Sequence, residues 1–496
     1  MSDNKAANII GIDLGTTTTL VARFNEAGKP EMTNNAEGAT ITPSVIQIDD
    51  AGSVIVGTEA KKFLGTGQPN IFAEFKREMG SDKSWPIGGK TVTPVELSAL
   101  LLKKVVADYA EQFGQPQSVV ITWPANYRNE QREATKEAAA RAGLKVEYYI
   151  EEPTAAALYY ATDTALDGKY LVYDFGGGTF DVTLIEAHGN KIDVLYQDGV
   201  QQLGGKDLDN ALLKIIGEKF RAKTNDEFDA VDCNFDKLAV EGAKHTLSTK
   251  DKTSIRLVSA KHGPIVIDLS RDEFEAGISH LVSQAEMACE NVLRCGKDPA
   301  DTAQHVKKSD IKDIFMAGGT SRVPAMQASV ERLFGKKPKV KNPAEAIAMG
   351  AAIYAAHKAS GGTLNALQGQ AVANIDVSLI APHFFGTSVY DNDSGLYNDT
   401  VISKGNKLPC REERTYYTMR DNQTKVDCDV TQSAIEEKNC EYVTKIWQGS
   451  LELPSGRPAG QPIKVIYSYD INGTMHCSFK DGDNGKSTEV NLKPGN

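Results

Sequence analysis

Two stretches far apart in the chain repeat one chemical idea. Ile12-Asp13-Leu14-Gly15-Thr16-Thr17 and Tyr173-Asp174-Phe175-Gly176-Gly177-Gly178-Thr179 each carry an apolar strand into an aspartate, then a Gly/Thr turn, then another strand. Glycine has no Cβ, so backbone N–H groups in such a turn can approach the oxygens of a polyphosphate, and threonine hydroxyls add donors. Asp13 and Asp174 would point at the same phosphate space if the two turns face one another. Two carboxylates there repel phosphates unless a cation lies between them. Mg²⁺, which keeps several of its waters, is the expected cation. One Gly-rich turn is weak evidence; a matched pair points to a nucleoside triphosphate.

A third glycine pair closes an apolar strand in Met316-Ala317-Gly318-Gly319-Thr320-Ser321-Arg322. Gly318 and Gly319 would let a nucleoside approach the backbone, and the Arg322 guanidinium plane could stack on a base. Taken alone, this reads equally well as a structural turn. Gly485-Lys486-Ser487 does not make a P-loop, because Lys480 stands where that motif needs a glycine. Asp481 to Gly485 reads as a tight hairpin turn instead.

The elements that must hold these turns alternate. Apolar strands are expected at Asn8–Leu14, Val119–Trp123, Lys169–Phe175 and Ile314–Ala317, and helices at Thr93–Phe113, Asn129–Ala142 and Pro153–Ala161. That alternation is α/β. After Lys358 the character changes: residues 363–377 read as a linker, and beyond them short alternating segments such as Tyr416–Arg420, Lys425–Thr431 and Lys464–Tyr469 are punctuated by Gly, Asn, Asp and Pro. That pattern predicts an all-β sandwich. At 496 residues the chain is too long for one core, so two or three domains are required.

Net charge is −11 without any Lys/Arg-rich run, which leaves no footprint for nucleic acid and no basic membrane patch. Seven cysteines, an odd number with no CxxC pair, suit reduced thiols better than a disulfide framework or a zinc site. No signal-like h-region and no apolar run near the ~20 residues of a membrane span is visible, so the cytoplasm is expected.

The series Gly11-Ile12-Asp13-Leu14-Gly15-Thr16-Thr17, Ile121-Thr122-Trp123-Pro124-Ala125, Glu152-Pro153-Thr154-Ala155-Ala156-Ala157, Asp174 to Asp181, Leu203-Gly204-Gly205-Lys206-Asp207 and Gly318 to Pro324 resembles the DnaK-type 70-kDa heat-shock proteins. The order and spacing match over nearly the whole chain, most closely up to Lys358. The resemblance implies a two-lobed actin-like, ribonuclease-H-like α/β ATPase domain over residues 1–362, the linker, and a peptide-binding β-sandwich over 378–496. It implies ATP and ADP as ligands, with Mg²⁺ held through water by Asp13 and Asp174. Gly15, Thr16, Thr17 and Gly176, Gly177, Gly178 and Thr179 would cradle the phosphates, with Gly204 and Gly205 as a further loop. Lys76 matches a lysine on the terminal phosphate; Glu152 and Asp181 match acids that orient the attacking water or accept from it. Glu241, Lys244 and Ser248 match ribose and adenine contacts, and Arg322 closes over the base. Pro124 and Arg132 match a relay to the partner domain.

In the sandwich, Phe385, Thr387, Tyr416, Val426 and Cys428 fall where the family lines an apolar peptide pocket, and Tyr390 and Met419 where it arches over the bound strand. The implied partners are unfolded polypeptides, a J-domain cochaperone and a nucleotide exchange factor, in a stress-response chaperone. Departures exist. The run Ala371 to Val377 is less apolar than the family's leucine-rich linker, Lys206 stands where an acid is usual, Ala344 replaces an acid near the base, and the sequence stops at Asn496 with no helical lid in view. Two other readings use the same fold: a regulator such as an exchange factor without a working peptide pocket, and a small-metabolite kinase. Lys76, Glu152, Asp174 and Thr179 being in place argue against the first. A β domain where a kinase has a second substrate lobe argues against the second.

Overall fold

The computed structural model describes residues 7–64, 67–162, 166–189, 191–233, 235, 238–294, 305–359, 364–391, 395–483 and 485–490. Cys295 and residue 363, the first of the expected linker, lie outside them.

Two six-stranded sheets share one plan. In the first, the path runs Val146–Glu151, Ser118–Trp123, Ile9–Leu14, Thr18–Phe24, Pro30–Met32; in the second it runs Lys339–Val340, Ile311–Ala317, Leu166–Phe175, Phe180–Gly189, Lys191–Val200. In each sheet the strand that carries the aspartate sits at the centre, parallel to one neighbour and antiparallel to the strand after the turn. The echo seen in the sequence is thus the centre of a duplicated sheet. All four expected strands and three expected helices occur, with ends shifted by up to three residues; Thr93 caps its helix in a capping box with Glu96.

The helix that follows the first sheet, Glu152–Tyr160, crosses the one that follows the second, Ala346–Lys358. A Cβ at Gly350 would lie 1.7 Å from the Ala155 carbonyl oxygen, so only glycine allows that crossing. Alanines at 155, 156, 157, 348, 351 and 352 fill the rest of the contact and are buried. This close packing brings the two Asp-bearing strand ends face to face.

Residues read as a linker are built into the fold. Ala366–Val372 is a helix capped by Asn365, and its buried Gln368 bonds the backbone of Ala7 and Phe24 at 3.1–3.2 Å. Asp376–Ser378 then pairs in parallel with residues 191–193 as a sixth strand of the second sheet, and Leu379 and Ile380 are buried behind it. Only the last two residues of the run 371–377 enter that strand. The alanines at 371 and 373 belong to the helix and its C-cap, where low apolarity says nothing of how firmly the strand docks.

The C-terminal segment forms two four-stranded sheets packed around Phe385, Val430, Tyr467, Tyr469 and Phe479. One expected strand is displaced: Cys410–Tyr417 is the strand, and Thr418 to Arg420 follow it as a loop. The hairpin turn expected at 481–485 joins Met475–Asp481 to Ser487–Val490, with Gly485 donating to the Asp481 carbonyl.

Candidate functional site

Between the two duplicated sheets lies a cavity of about 780 Å³. Both phosphate-type turns reach it, and they touch one another. A Cβ at Gly177 would meet the Thr17 side chain at 2.2 Å, and one at Gly178 would meet Thr16 at 2.5 Å. Glycine at these positions therefore serves close approach of the two turns as well as access for a ligand. Gly318, at φ +78°, closes a third side, where a Cβ would lie 2.2 Å from the Phe175 carbonyl oxygen.

Charge beside the cavity is concentrated and buried. Lys76, in a short 3-10 turn over Phe75–Glu78, is buried and lies 2.6 Å from Glu152 Oε1. Burial disfavours its ammonium, but the Glu152 carboxylate, together with Tyr127 and Asp13, outweighs that and holds the lysine charged. Asp13, Asp174 and Asp181 are buried in the same neighbourhood. Burial, then the Glu152 charge, pushes Asp13 up to about 7 and Asp174 and Asp181 well above the usual carboxylate range. Thr122 donates to Asp13 at 3.4 Å, and Asp174 Oδ1 is buried with no hydrogen-bond partner among the described residues. Burial and mutual repulsion oppose full ionisation of four acids beside one lysine, and an added cation would favour their charged forms.

Asp13, Gly15, Thr16, Thr17, Lys76, Glu152, Asp174, Gly176, Gly177, Thr179, Gly205, Glu241, Lys244, Ser248, Gly318, Gly319 and Arg322 line the cavity. Asp181, Gly178 and Gly204 stand just behind it: Asp181 pairs with Asp174 across the sheet, and Gly204 packs on Gly178. Glu241 and Lys244 lie on the helix Leu238–Leu247, and Ser248 caps Lys244 with a 2.9 Å bond. Lys244 reaches Gly205 O at 3.1 Å and Asp209 at 2.8 Å, tying that helix to the glycine loop.

Three ion pairs escaped the sequence reading, two of them between residues that line the cavity. Lys61 meets Glu241 at 2.7 Å, Arg77 meets Asp207 at 2.6 Å, and Lys206 meets Glu74 at 3.0 Å. The lysine that departs from the family pattern thus has its own acid on the opposite wall. Lys61 carries no local signal, since lysines on short surface helices are common. Asp209, His245 and Ile347 also line the cavity and went unnoticed for the same reason.

Arg132 is buried at the junction with the sandwich. It pairs with Glu151 at 3.0 Å, donates to Ala125 O and Tyr127 O at 3.2 Å, and lies 5.0 Å from the Trp123 ring. The sandwich turn at Gly473 covers it: a Cβ there would come within 2.5 Å of Arg132 Nη1. Pro124 is buried beside it. Lys136 to Thr474 at 2.7 Å, Lys407 to Asp193 at 3.0 Å and Lys404 over the Tyr196 ring at 4.7 Å also bridge the two parts.

The expected peptide-pocket residues fall into two groups. Phe385, Thr387 and Cys428 are buried in the sandwich, with Thr387 donating to Asp429 at 3.2 Å. Tyr416 and Val426 are half-buried, and Tyr390 and Met419 are exposed. Tyr416 also donates to Asp399 at 2.7 Å.

The family model described as Hsp70 protein matches residues 9–496. The chain belongs to the Hsp70 family. It is 37% identical to the chaperone protein DnaK of Thermotoga neapolitana, an alignment covering 97% of this chain and 80% of that relative. It is 36% identical to the chaperone protein DnaK of Thermosipho africanus, over 98% of this chain and 80% of that relative. As an Hsp70, it is an ATP-dependent molecular chaperone and an ATPase, with an actin-like ATPase domain and a β-sandwich. It binds ATP and ADP, and its partners are unfolded clients. The regulator alternative is not favoured. Among the described residues no helix is long and apolar enough to cross a membrane.

Proposed function

We propose that the cavity between the duplicated sheets is where ATP is hydrolysed, and that the two sheets are the two lobes of the actin-like fold. The carrying observation is the contact of two glycine turns beside a buried Lys76–Glu152 pair. Thr16, Thr17, Gly176, Gly177, Gly178 and Thr179 hold the phosphates by backbone and hydroxyl donors, with Gly204 and Gly205 supporting them from behind. Asp13 and Asp174 hold Mg²⁺ through its waters. The orphaned Asp174 Oδ1 and the surplus of buried carboxylates suit such an ion. Bound there, the ion neutralises phosphate charge during transfer.

Lys76 contacts the terminal phosphate and positions the attacking water. The water oxygen bonds to the γ-phosphorus as the bond to the β-phosphate oxygen breaks. Glu152 and Asp181 orient that water and take its proton. Glu241, Lys244 and Ser248 meet the ribose and adenine, while Gly318 and Gly319 admit the nucleoside and Arg322 covers the base. Pro124 and Arg132, under the Gly473 turn, report the nucleotide state to the sandwich as it docks and separates.

In the sandwich an extended client segment is held by backbone bonds, with one side chain in a pocket at Val426, Thr387, Tyr416, Cys428 and Phe385 and with Tyr390 and Met419 arching over it. Its working partners are a J-domain cochaperone and an exchange factor, and its compartment is the cytoplasm. Val426→Phe adds bulk to a packed site, which costs roughly 1–3 kcal/mol. A labelled apolar peptide followed by fluorescence anisotropy should then bind about 5- to 150-fold more weakly, a range that converts that cost. Unchanged affinity would remove Val426 from the pocket.

A further inference from the structure

A second cavity, of about 600 Å³, lies where the sandwich meets the ATPase domain. Its walls include Arg128, Gln197 and Asp198 from one side, and His383, Lys404 and Gln432 from the other. His383 is 7% exposed, and its Nδ1 is buried with no hydrogen-bond partner among the described residues. The residue sits between buried Ile380 and Phe384, on the segment that leads from the docked strand into the sandwich.

We propose that docking of the sandwich on the ATPase domain is proton-sensitive in this chain, with His383 as the sensor. The inference rests on the reading above that the two parts dock and separate. Arg128 and Arg132 face the imidazole from the ATPase domain, and Lys404 faces it from the sandwich. Glu151 is committed to Arg132, 3.0 Å away. Asp198 and Glu437 line the same cavity, but neither bonds the ring among the described contacts: Asp198 accepts from Gly199 N and Glu437 from Asn439 N. Phe385 packs edge-on at 6.3 Å between ring centroids, and Tyr469 closes the core behind it. An imidazolium here would meet cations on both sides, with no carboxylate bonded to the ring among the described contacts.

Burial, followed by the charges of Arg132, Lys404 and Arg128, holds His383 well below its usual range in the docked form. When the domains separate, the ring returns to water and to a value of about 6.5. The docked form therefore binds fewer protons. Its advantage is complete above about pH 6.5 and is lost as pH falls below that value towards the docked one. For one histidine, the docking constant should drop about tenfold between pH 7.5 and 5.5.

The test is small-angle scattering of the full chain with ATP from pH 8 to 5.5, which reports the docked fraction as a compact radius. The wild type should expand as pH falls, while His383→Leu, and independently His383→Asn, should stay compact at all pH values. Docking of the wild type that ignores pH would overturn the proposal. Parallel expansion of the wild type and both variants would overturn it too. If ATP compacts none of the three proteins even at pH 8, the docking reading itself fails, and the proton effect falls with it.

Discussion

Lys76→Ala should leave ATP bound yet slow single-turnover hydrolysis by about 100-fold or more, the loss typical when one donor aimed at developing transition-state charge is removed. Lys76 is not a surface lysine. It is buried, paired with Glu152 at 2.6 Å, and faces the neighbourhood of Asp13. Binding should survive because, in the proposed assignment, the glycine turns, the Leu238–Leu247 helix and Arg322, all at the cavity wall, still hold the nucleotide. Hydrolysis lacks that redundancy, since charge on the transferred phosphoryl oxygens needs a cation at this point. The variant also leaves the acids around Glu152 less compensated, so some loss of thermal stability should accompany the kinetic defect. Near-normal hydrolysis in a quench-flow measurement would remove Lys76 from the reaction.

The sequence revealed this site because its signals are local. Asp13 and Asp174 end apolar strands, and the following turns need glycine, so each motif can be read within a few residues. That the turns meet is also foreshadowed, by their being alike. What makes them meet was not legible. Gly350 matters only because Ala155 of a distant helix lies against it, and nothing within its own helix shows that. The same holds for Lys61 and Glu241, whose pairing joins residues far apart in sequence. How the 363–377 stretch packs was hidden for a related reason. Its Gly, Asn and Ala content has the look of a tether, but Gln368 finds two backbone partners and residues 376–378 find a free sheet edge. Those gains are tertiary and leave no periodicity behind.

Removing the divalent cation should have the larger effect. Asp13 and Asp174 are both buried and both pushed upward by burial and by Glu152. Without a positive ion, burial opposes ionisation of both aspartates, and the charge of a polyphosphate lacks its counter-ion. Excess chelator should therefore abolish turnover, and Mg²⁺ should restore it. Asp174→Asn should lower turnover and raise the Mg²⁺ concentration needed for half-maximal rate, because a neutral amide orders the ion's waters less strongly than a carboxylate. Turnover that persists in chelator would contradict the assignment of both aspartates. A normal Mg²⁺ requirement in the Asp174 variant would contradict it for that residue alone.

The central claim is that one chain joins an ATP-hydrolysing cleft to a peptide-binding sandwich through the contact at Arg132 and the docked strand Asp376–Ser378. The most direct test is single-turnover ATP hydrolysis by the full chain with and without a saturating unfolded peptide. Coupling predicts that peptide raises the hydrolysis rate severalfold, and that Val426→Phe shifts the response to higher peptide concentration. Peptide that binds the sandwich but leaves the hydrolysis rate unchanged would contradict the account.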